Sequence, residues 1–301
     1  MWSIESYESS RHERQVHALW LKTFGERWSI DRQHLARVFP PGTPCFVAVE
    51  RRRPVGFVGT VPSASSVAVI LVDEGHRRRG IARALFLAAL ESLRQGGCAR
   101  ATVGGVALLW KGVPVEFRAA NRFIAGLGCT PSARTVDQFR YLADYEYPAH
   151  LDGDLARRGL RLAAAVERDA EPIRAFESTH FPRWAEFFSA EIARRQFARI
   201  LCVRSDAEIV GTALVYGRDV PFPGAQWVSL ARRGLGGYAT LGIAPAHRGL
   251  GLGYALSAFA TQRVKESGAE GCLLNQSDAV PLYEKLGFRE WAEYQAYEIW
   301  L

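Results

Sequence analysis

An α/β fold, with an α+β mixed sheet built twice in tandem, is predicted by three observations on the 301-residue sequence. An apolar strand pattern runs through a glycine-containing turn into an amphipathic helix pattern, and does so twice. The segments flanking the two turns recur in the same order. The composition is globular, 48% hydrophobic and 23% charged, which is enough apolar content for two cores of ordinary size.

A shift of 171 residues aligns His76 with His247, Arg77 with Arg248, Gly80 with Gly251, Ala84 with Ala255 and Gly97 with Gly268. Upstream, "RPVGFVGT" (53–60) matches "EIVGTALV" (208–215) at a shift of 155; downstream, "AGLGC" (125–129) matches "EKLGF" (284–288) at 159. The changes in shift are insertions, which loops tolerate. One falls in "GRDVPFPGAQWVSLARRGLGG", the other in "GGVALLWKGVPVEF". The order of the matches indicates a duplication, with residues 1–150 as one domain and 151–301 as the other. The boundary is expected near "YEYPAHLDGDLARRG", rich in Pro, Gly and Asp.

Each half reads alike. An amphipathic helical region opens it, "RHERQVHALWLKTF" or "EPIRAFESTHF". A hairpin follows, because "CFVAVERRRPVGFVGTV" and "ILCVRSDAEIVGTALVY" each place β-rich runs about a polar turn. Next come an apolar strand ("SVAVILV", "GYATLGI") and the glycine turn. A helix follows, "IARALFLAALESLRQGG" or "GYALSAFATQRVKESG", with apolar residues near 3.6 spacing and glycine after its end. A short strand ("ARATV", "GCLLN"), a short helix and a closing strand complete the unit.

Other features bound the function. No run of about 18 apolar residues is present, so no membrane span is expected. The start "MWSIESYESSRHERQ" lacks an apolar signal core, and a cytoplasmic location is expected. The five cysteines have no C-x-x-C spacing, and no His/Cys cluster has metal-ligand spacing; reduced thiols and no metal are expected. Net charge is +7, and residues 1–150 carry 20 Lys+Arg against 13 Asp+Glu while 151–301 carry 18 of each. A basic half attracts nucleic acid or a polyphosphate ligand. Only 4 of the 38 basic residues are lysine, a bias of GC-rich bacterial genomes, so the arginine runs "ERRRP" and "HRRRG" are not read as nucleic-acid patches.

The turn "HRGLGLGYAL" (247–256) carries the chemistry. A strand that ends in a glycine turn and opens a helix presents unpaired N–H groups, and with the helix dipole these attract an anion such as pyrophosphate. Glycine accepts positive φ and lets a ligand come close. Arg248 adds a charged donor. On these residues alone a phosphate cradle and a tight turn without ligand both stand. The dinucleotide fingerprint G-x-G-x-x-G is not met by the even spacing of Gly249, Gly251 and Gly253, and the G-K-[ST] of a P-loop is absent.

"GIAPAHRGLGLGYAL" resembles motif A of the GNAT N-acetyltransferase superfamily, Arg/Gln-x-x-Gly-x-Gly/Ala. Arg248, Gly251 and Gly253 fill it, and Arg77, Gly80 and Ala82 fill it in the first half. "AVPLYEKLGF" (279–288) resembles the end of that family's motif B. The resemblance covers nearly the whole chain as two tandem GNAT-like domains, organised like mycothiol synthase. It implies acetyl-CoA as co-substrate, with its pyrophosphate on the turn of Arg248, Gly249, Leu250, Gly251, Leu252, Gly253 and Tyr254. It implies that the strand edge at Leu241, Gly242 and Ile243 pairs with pantetheine and polarises the thioester carbonyl. A primary amine then attacks directly in a ternary complex. Tyr283 stands where the family carries the general acid that protonates the leaving thiolate, whose pKa is about 8.5 by analogy with cysteine. Asn275 resembles the polar residue near pantetheine, and Gln276 aligns about as well.

In the first half Ile124 takes the place of Tyr283, and Arg78 takes that of Gly249. Isoleucine donates no proton, so residues 151–301 are expected to be catalytic and 1–150 not. The strand before the turn has Tyr238 and Thr240 but no acid, which leaves the general base open; Glu177, His180 and Glu186 lie in the helical region that roofs the acceptor site in the family. The aromatic stretch "STHFPRWAEFFSAEI" and the inserted loop with Phe222, Trp227, Arg232 and Arg233 border that region. The expected acceptor is a small amine: an aminosugar, an amino acid derivative or an antibiotic. The alternative is a non-catalytic acyl-CoA-binding module, or a transferase acting on protein or aminoacyl-tRNA. Neither a membrane nor a nucleic-acid partner is expected, and the chain is expected to be a monomer or homodimer.

Overall fold

The computed structural model describes residues 1–106, 109–220, 222, 227, 234–277 and 279–301, with Gln276 described by its backbone alone. In chain order they form β1 (Trp2–Ser6), α1 (Ser9–Phe24), α2 (Arg32–Val38), β2 (Phe46–Glu50), β3 (Arg53–Val61), β4 (Ser66–Val72), α3 (Ile81–Gln95), β5 (Arg100–Val103), β6 (Val113–Pro114), α4 (Arg118–Gly126) and β7 (Thr130–Tyr141). Then follow α5 (His150–Ala156), β8 (Arg161–Ala164), α6 (Ala170–His180), α7 (Ala185–Ala193), β9 (Ile200–Arg204), β10 (Ile209–Tyr216), β11 (Leu235–Ile243), α8 (Leu252–Glu266), β12 (Gly271–Ser277), α9 (Val280–Glu284) and β13 (Arg289–Trp300). The mixed α/β fold expected from the sequence is present, in two compact units. One holds Met1–Val136, Trp227 and Ala292–Leu301; the other holds residues 137–220, 222 and 234–291.

In the first unit the strands run β1-β2-β3-β4-β5, and residues 297–300 of β13 add the next strand beside β5, with Tyr297 opposite Val103 and Trp300 opposite Arg100. Every pairing is antiparallel except β4–β5, where Ser66 lies opposite Thr102 and Val67 opposite Val103. Helix α3 packs against β3 and β4. Its buried face, Ile81, Leu85, Phe86, Ala89 and Leu93, closes a core with Val58, Val67, Ala101 and Tyr297. These are the i, i+4, i+8 positions that an amphipathic helix buries.

The second unit repeats this plan as β8-β9-β10-β11-β12, with β7 beyond β12. Again one pairing is parallel: β11 and β12 meet from Leu235/Gly271 to Gly237/Leu273. Helix α8 covers β10 and β11. It buries Leu252, Ala255, Leu256, Ala258, Ala260 and Val264 against Leu201, Val203, Val210 and Leu274. A second core, on Ile173, Phe176, Phe188 and Ile192 of α6 and α7, packs on Ile200, Cys202, Ile209 and Leu214.

Three things were not foreseen. The short strands β1 and β8 open the units. Helix α7 folds from the stretch expected to face substrate. The chain also leaves the first unit inside β7, between Val136 and Asp137, and re-enters it inside β13, between Trp291 and Ala292. The closing strand at the end of the sequence thus completes the first unit's sheet. All five cysteines are free, and among the described residues no helix is long and apolar enough to cross a membrane.

Candidate active site

The two glycine turns have one backbone. Gly251 caps α8 at φ 78°, ψ 2°, and Gly80 caps α3 at φ 81°, ψ −7°. Two residues earlier, Gly249 lies at φ 78° and Arg78 at φ 64°, so the arginine adopts the left-handed region that glycine enters freely. A Cβ at Gly249 or Gly251 would meet nothing within 4 Å; these glycines serve the φ angle, and the space outside them is open. The first helical bond runs from the Ala255 N–H to the Gly251 carbonyl, as from Ala84 to Gly80. The N–H groups of Leu252, Gly253 and Tyr254 therefore precede the helix's own hydrogen bonding. Neither helix has an acidic residue in its first turn to compete for them. This cradle fits a pyrophosphate.

The motif arginine holds the backbone in both units. Arg248 Nε donates to the Ile243 carbonyl at 3.0 Å, and Arg77 Nε to the Val72 carbonyl at 3.3 Å. In both units it ties the strand end to the turn. Leu250 is exposed at the tip, and its carbonyl accepts from Arg158 at 2.7 Å.

The strand edge is open where pantetheine was expected. Parallel pairing of β11 with β12 stops at Gly237/Leu273, while β11 continues to Ile243. The Ala244 N–H bonds the Val210 carbonyl of the neighbouring strand. By alternation Gly242 faces β10 as well, and Leu241 and Ile243 turn their backbone groups towards the diverging side. Between Thr212/Gly242 and Leu214/Ala239 the register slips, and Thr240 there has φ 50°. A β-branched residue held at positive φ costs of order 1–3 kcal/mol, and such outliers gather at functional sites. Asn275 lies half-buried on β12, past the divergence; the Gln276 side chain is outside the described residues.

Tyr283 sits half-buried on α9, its ring 6.2 Å from those of Tyr238 and Phe288. Leu282 lies 3.4 Å from where a Cβ on Gly253 would be, which sets α9 against the first turn of α8. Ile124 occupies the same place in the first unit and is core. Tyr238 is fully buried and its phenol is pushed well up by loss of hydration. Its ring packs against those of Tyr283 and Phe288.

Of the three acceptor-side candidates, the structure singles out Glu177. His180 and Glu186 are exposed. Glu177 is 0% exposed, and its Oε1 accepts from the Thr212 hydroxyl of β10. Its Oε2 has no partner among the described residues. Burial pushes its carboxyl up to about 7, against the opposing pull of the Thr212 hydrogen bond. Thr212 lies opposite Gly242 in the sheet, and a Cβ on Gly242 would fall 2.5 Å from the Phe181 ring. Glu177 and Phe181, one helical turn apart, thus lie behind the open strand edge. Aligning Phe24 with Phe181 sets Trp20 at the place of Glu177; both are fully buried.

Phe222 packs on Gly237 and on the Tyr216 ring, 5.4 Å away, in the second unit. Trp227 is buried in the first unit, 4.9 Å from Trp28. Arg232 and Arg233 lie outside the described residues. Among the described residues no group of His, Cys, Asp or Glu comes together to hold a metal ion.

A strand that splays from its parallel neighbour, a left-handed glycine turn and a helix that opens on it, made twice, define a tandem pair of α/β units of one plan. A model of the acetyltransferase (GNAT) family matches residues 13–107 and 163–288, and the chain belongs to that family as a tandem two-domain member. Acetyltransferases of this family draw on acetyl-CoA. Among curated proteins none matches it significantly in sequence.

Solved structures show the same fold. A fungal glucosamine N-acetyltransferase region, within a multi-domain β-N-acetylglucosaminidase, superposes with a TM-score of 0.86 at 20% identity, over 99% of this chain and 38% of that one. The chain thus spans well under half of that protein's length. A GCN5-related N-acetyltransferase from Sphaerobacter thermophilus gives 0.69 at 15% identity, covering 99% and 95%. A tandem GNAT protein of the clavulanic acid biosynthesis pathway gives 0.62 at 18%, covering 100% and 98%.

Proposed function

We propose that the chain transfers an acetyl group from acetyl-CoA to the primary amine of a small molecule. The reaction runs in residues 151–301, and residues 1–150 form the non-catalytic domain. The observation that carries this reading is the open edge of β11 running straight into the Gly249–Gly251 cradle, with Tyr283 on the helix packed beside it. Aminosugars are the first acceptors to try, because the fungal neighbour is described as acting on glucosamine.

When bound, acetyl-CoA supplies the acetyl group as a thioester. The N–H groups of Leu252, Gly253 and Tyr254, at the positive end of α8, hold the pyrophosphate. Leu241 and Ile243 align the pantetheine arm along the strand. A backbone N–H at the Thr240 bulge is a fixed donor for the negative charge that develops on the carbonyl oxygen. The neutral amine nitrogen bonds to the carbonyl carbon, the C–S bond breaks, the Tyr283 hydroxyl gives its proton to the sulfur, and the proton shed by the amine nitrogen passes through water to restore the Tyr283 phenol. Asn275 steadies the pantetheine from β12.

The test is thiol release from acetyl-CoA with a panel of primary amines that includes glucosamine, run on the full chain and on Tyr283→Phe. An amine-dependent release that falls in the variant, with acetyl-CoA affinity kept, is the expected result. Equal turnover in both proteins removes the acid assignment, and no release with any amine removes the reading.

A further inference from the structure

The first unit has lost the residues for proton transfer but not the room for a ligand. A cavity of about 830 Å³ lies in it, within the range of small-molecule sites. One wall is the free end of β4, residues 68–72; another is the turn from His76 to Arg83; a third is α4. It coincides with the cradle of Gly80 and the strand edge after Val67, where β4–β5 pairing ends.

Its two ends differ in chemistry. At the turn and along α4 stand Arg78, Arg83, Arg118 and Arg122, all exposed, and among the described residues no carboxylate pairs with any of them. At the other end the lining is Phe24, Trp110 and Phe117, part of an aromatic cluster. The Trp110 ring stacks on Trp20 at 5.2 Å and meets Phe24 edge-on at 4.7 Å. Trp110 is 4% exposed, and its Nε1–H has no partner among the described residues.

The groups that would run a reaction are absent or occupied. Ile124 replaces the tyrosine and Trp20 the carboxyl of the second unit. Glu116, which also lines the cavity, accepts from Trp28 Nε1 at 2.7 Å through one oxygen and pairs with Arg27 at 3.1 Å through the other. His76 is held between Asp73 and Glu50.

We propose that the first unit is a binding site, without transfer, for a CoA thioester whose acyl group is bulky and apolar. The arginines and the α3 N-terminus take the phosphates. The aromatic end takes the acyl group. An acetyl group would leave the aromatic end unfilled. This goes beyond the acetyl transfer assigned to residues 151–301 and does not depend on it.

The test titrates the full chain with free CoA and with phenylacetyl-CoA, by calorimetry and by tryptophan fluorescence. Phenylacetyl-CoA is expected to bind roughly tenfold or more tighter than CoA, as burial of a phenyl group gives. It should also quench the Trp110 cluster. The R78E/R118E double variant, changed only at exposed positions, is expected to weaken this binding roughly tenfold or more and to leave acetyl transfer intact. Equal affinity for CoA and phenylacetyl-CoA, or unchanged binding in R78E/R118E, overturns the proposal. Steady release of CoA from phenylacetyl-CoA that R78E/R118E abolishes also overturns it, because the unit would then be catalytic.

Discussion

Replacing Glu177 by glutamine should change how stability depends on pH. The wild-type carboxyl sits fully buried with one oxygen on Thr212 and the other unpaired. It titrates at about 7 in the fold against 4.5 ordinarily. Between those two values the folded chain keeps a proton that the unfolded chain gives up, so stability falls as pH rises from 4.5 to 7 and is level below that window. The loss by pH 8 amounts to about 3 kcal/mol. Glutamine accepts the Thr212 hydroxyl in the same way and cannot ionise. In urea unfolding followed by circular dichroism, Glu177→Gln should match wild type within about 1 kcal/mol at pH 5 and exceed it by roughly 2–3 kcal/mol at pH 8. The same difference at both pH values would refute the claim that a buried, neutral carboxyl lies behind the strand edge.

Two further outcomes follow from the geometry. Tyr283→Phe keeps the ring packing on Tyr238 and Phe288 and removes only the hydroxyl; turnover should fall about 100-fold, the low end for a general acid, with acetyl-CoA affinity within a factor of about two by calorimetry. Ending the chain after Trp291 removes the strand that pairs with β5 and takes Tyr294 and Tyr297 from the first unit. Limited proteolysis should then cut first within residues 1–136, and near-ultraviolet circular dichroism of the tryptophan cluster should collapse; an unchanged cutting pattern would count against the exchange of strands.

Much of the architecture was legible because local patterns and tertiary needs agreed. The two glycine turns, the helices after them and the hairpins before them carry periodicities that survive divergence, since each buries one face. The cradle was legible for a backbone reason: positive φ at Gly80, Gly249 and Gly251 restricts those positions strongly. Other features depend on distance in space. That residues 292–301 close the first unit follows from pairing with β5, about 200 positions away, which no local pattern encodes. The bond from Arg248 Nε to the Ile243 carbonyl is of the same kind, because the closeness of the strand end to the turn is not written in the charge of the side chain. Glu177 could not be told from the exposed His180 and Glu186, because burial is set by Phe181, Thr212 and the sheet beneath. A signal was nonetheless present: Glu177 falls on the apolar stripe with Ile173 and Phe176, where a carboxylate is out of place unless it is used.

The central claim is that the Gly249–Gly251 turn presents the acetyl donor to an amine. Gly251→Asp tests it most directly, since it sets a carboxylate at the mouth of the cradle and a side chain at φ 78° where there is space for it. Thiol release from acetyl-CoA with the best amine should fall at least about 100-fold; the same release by wild type and variant would contradict the account.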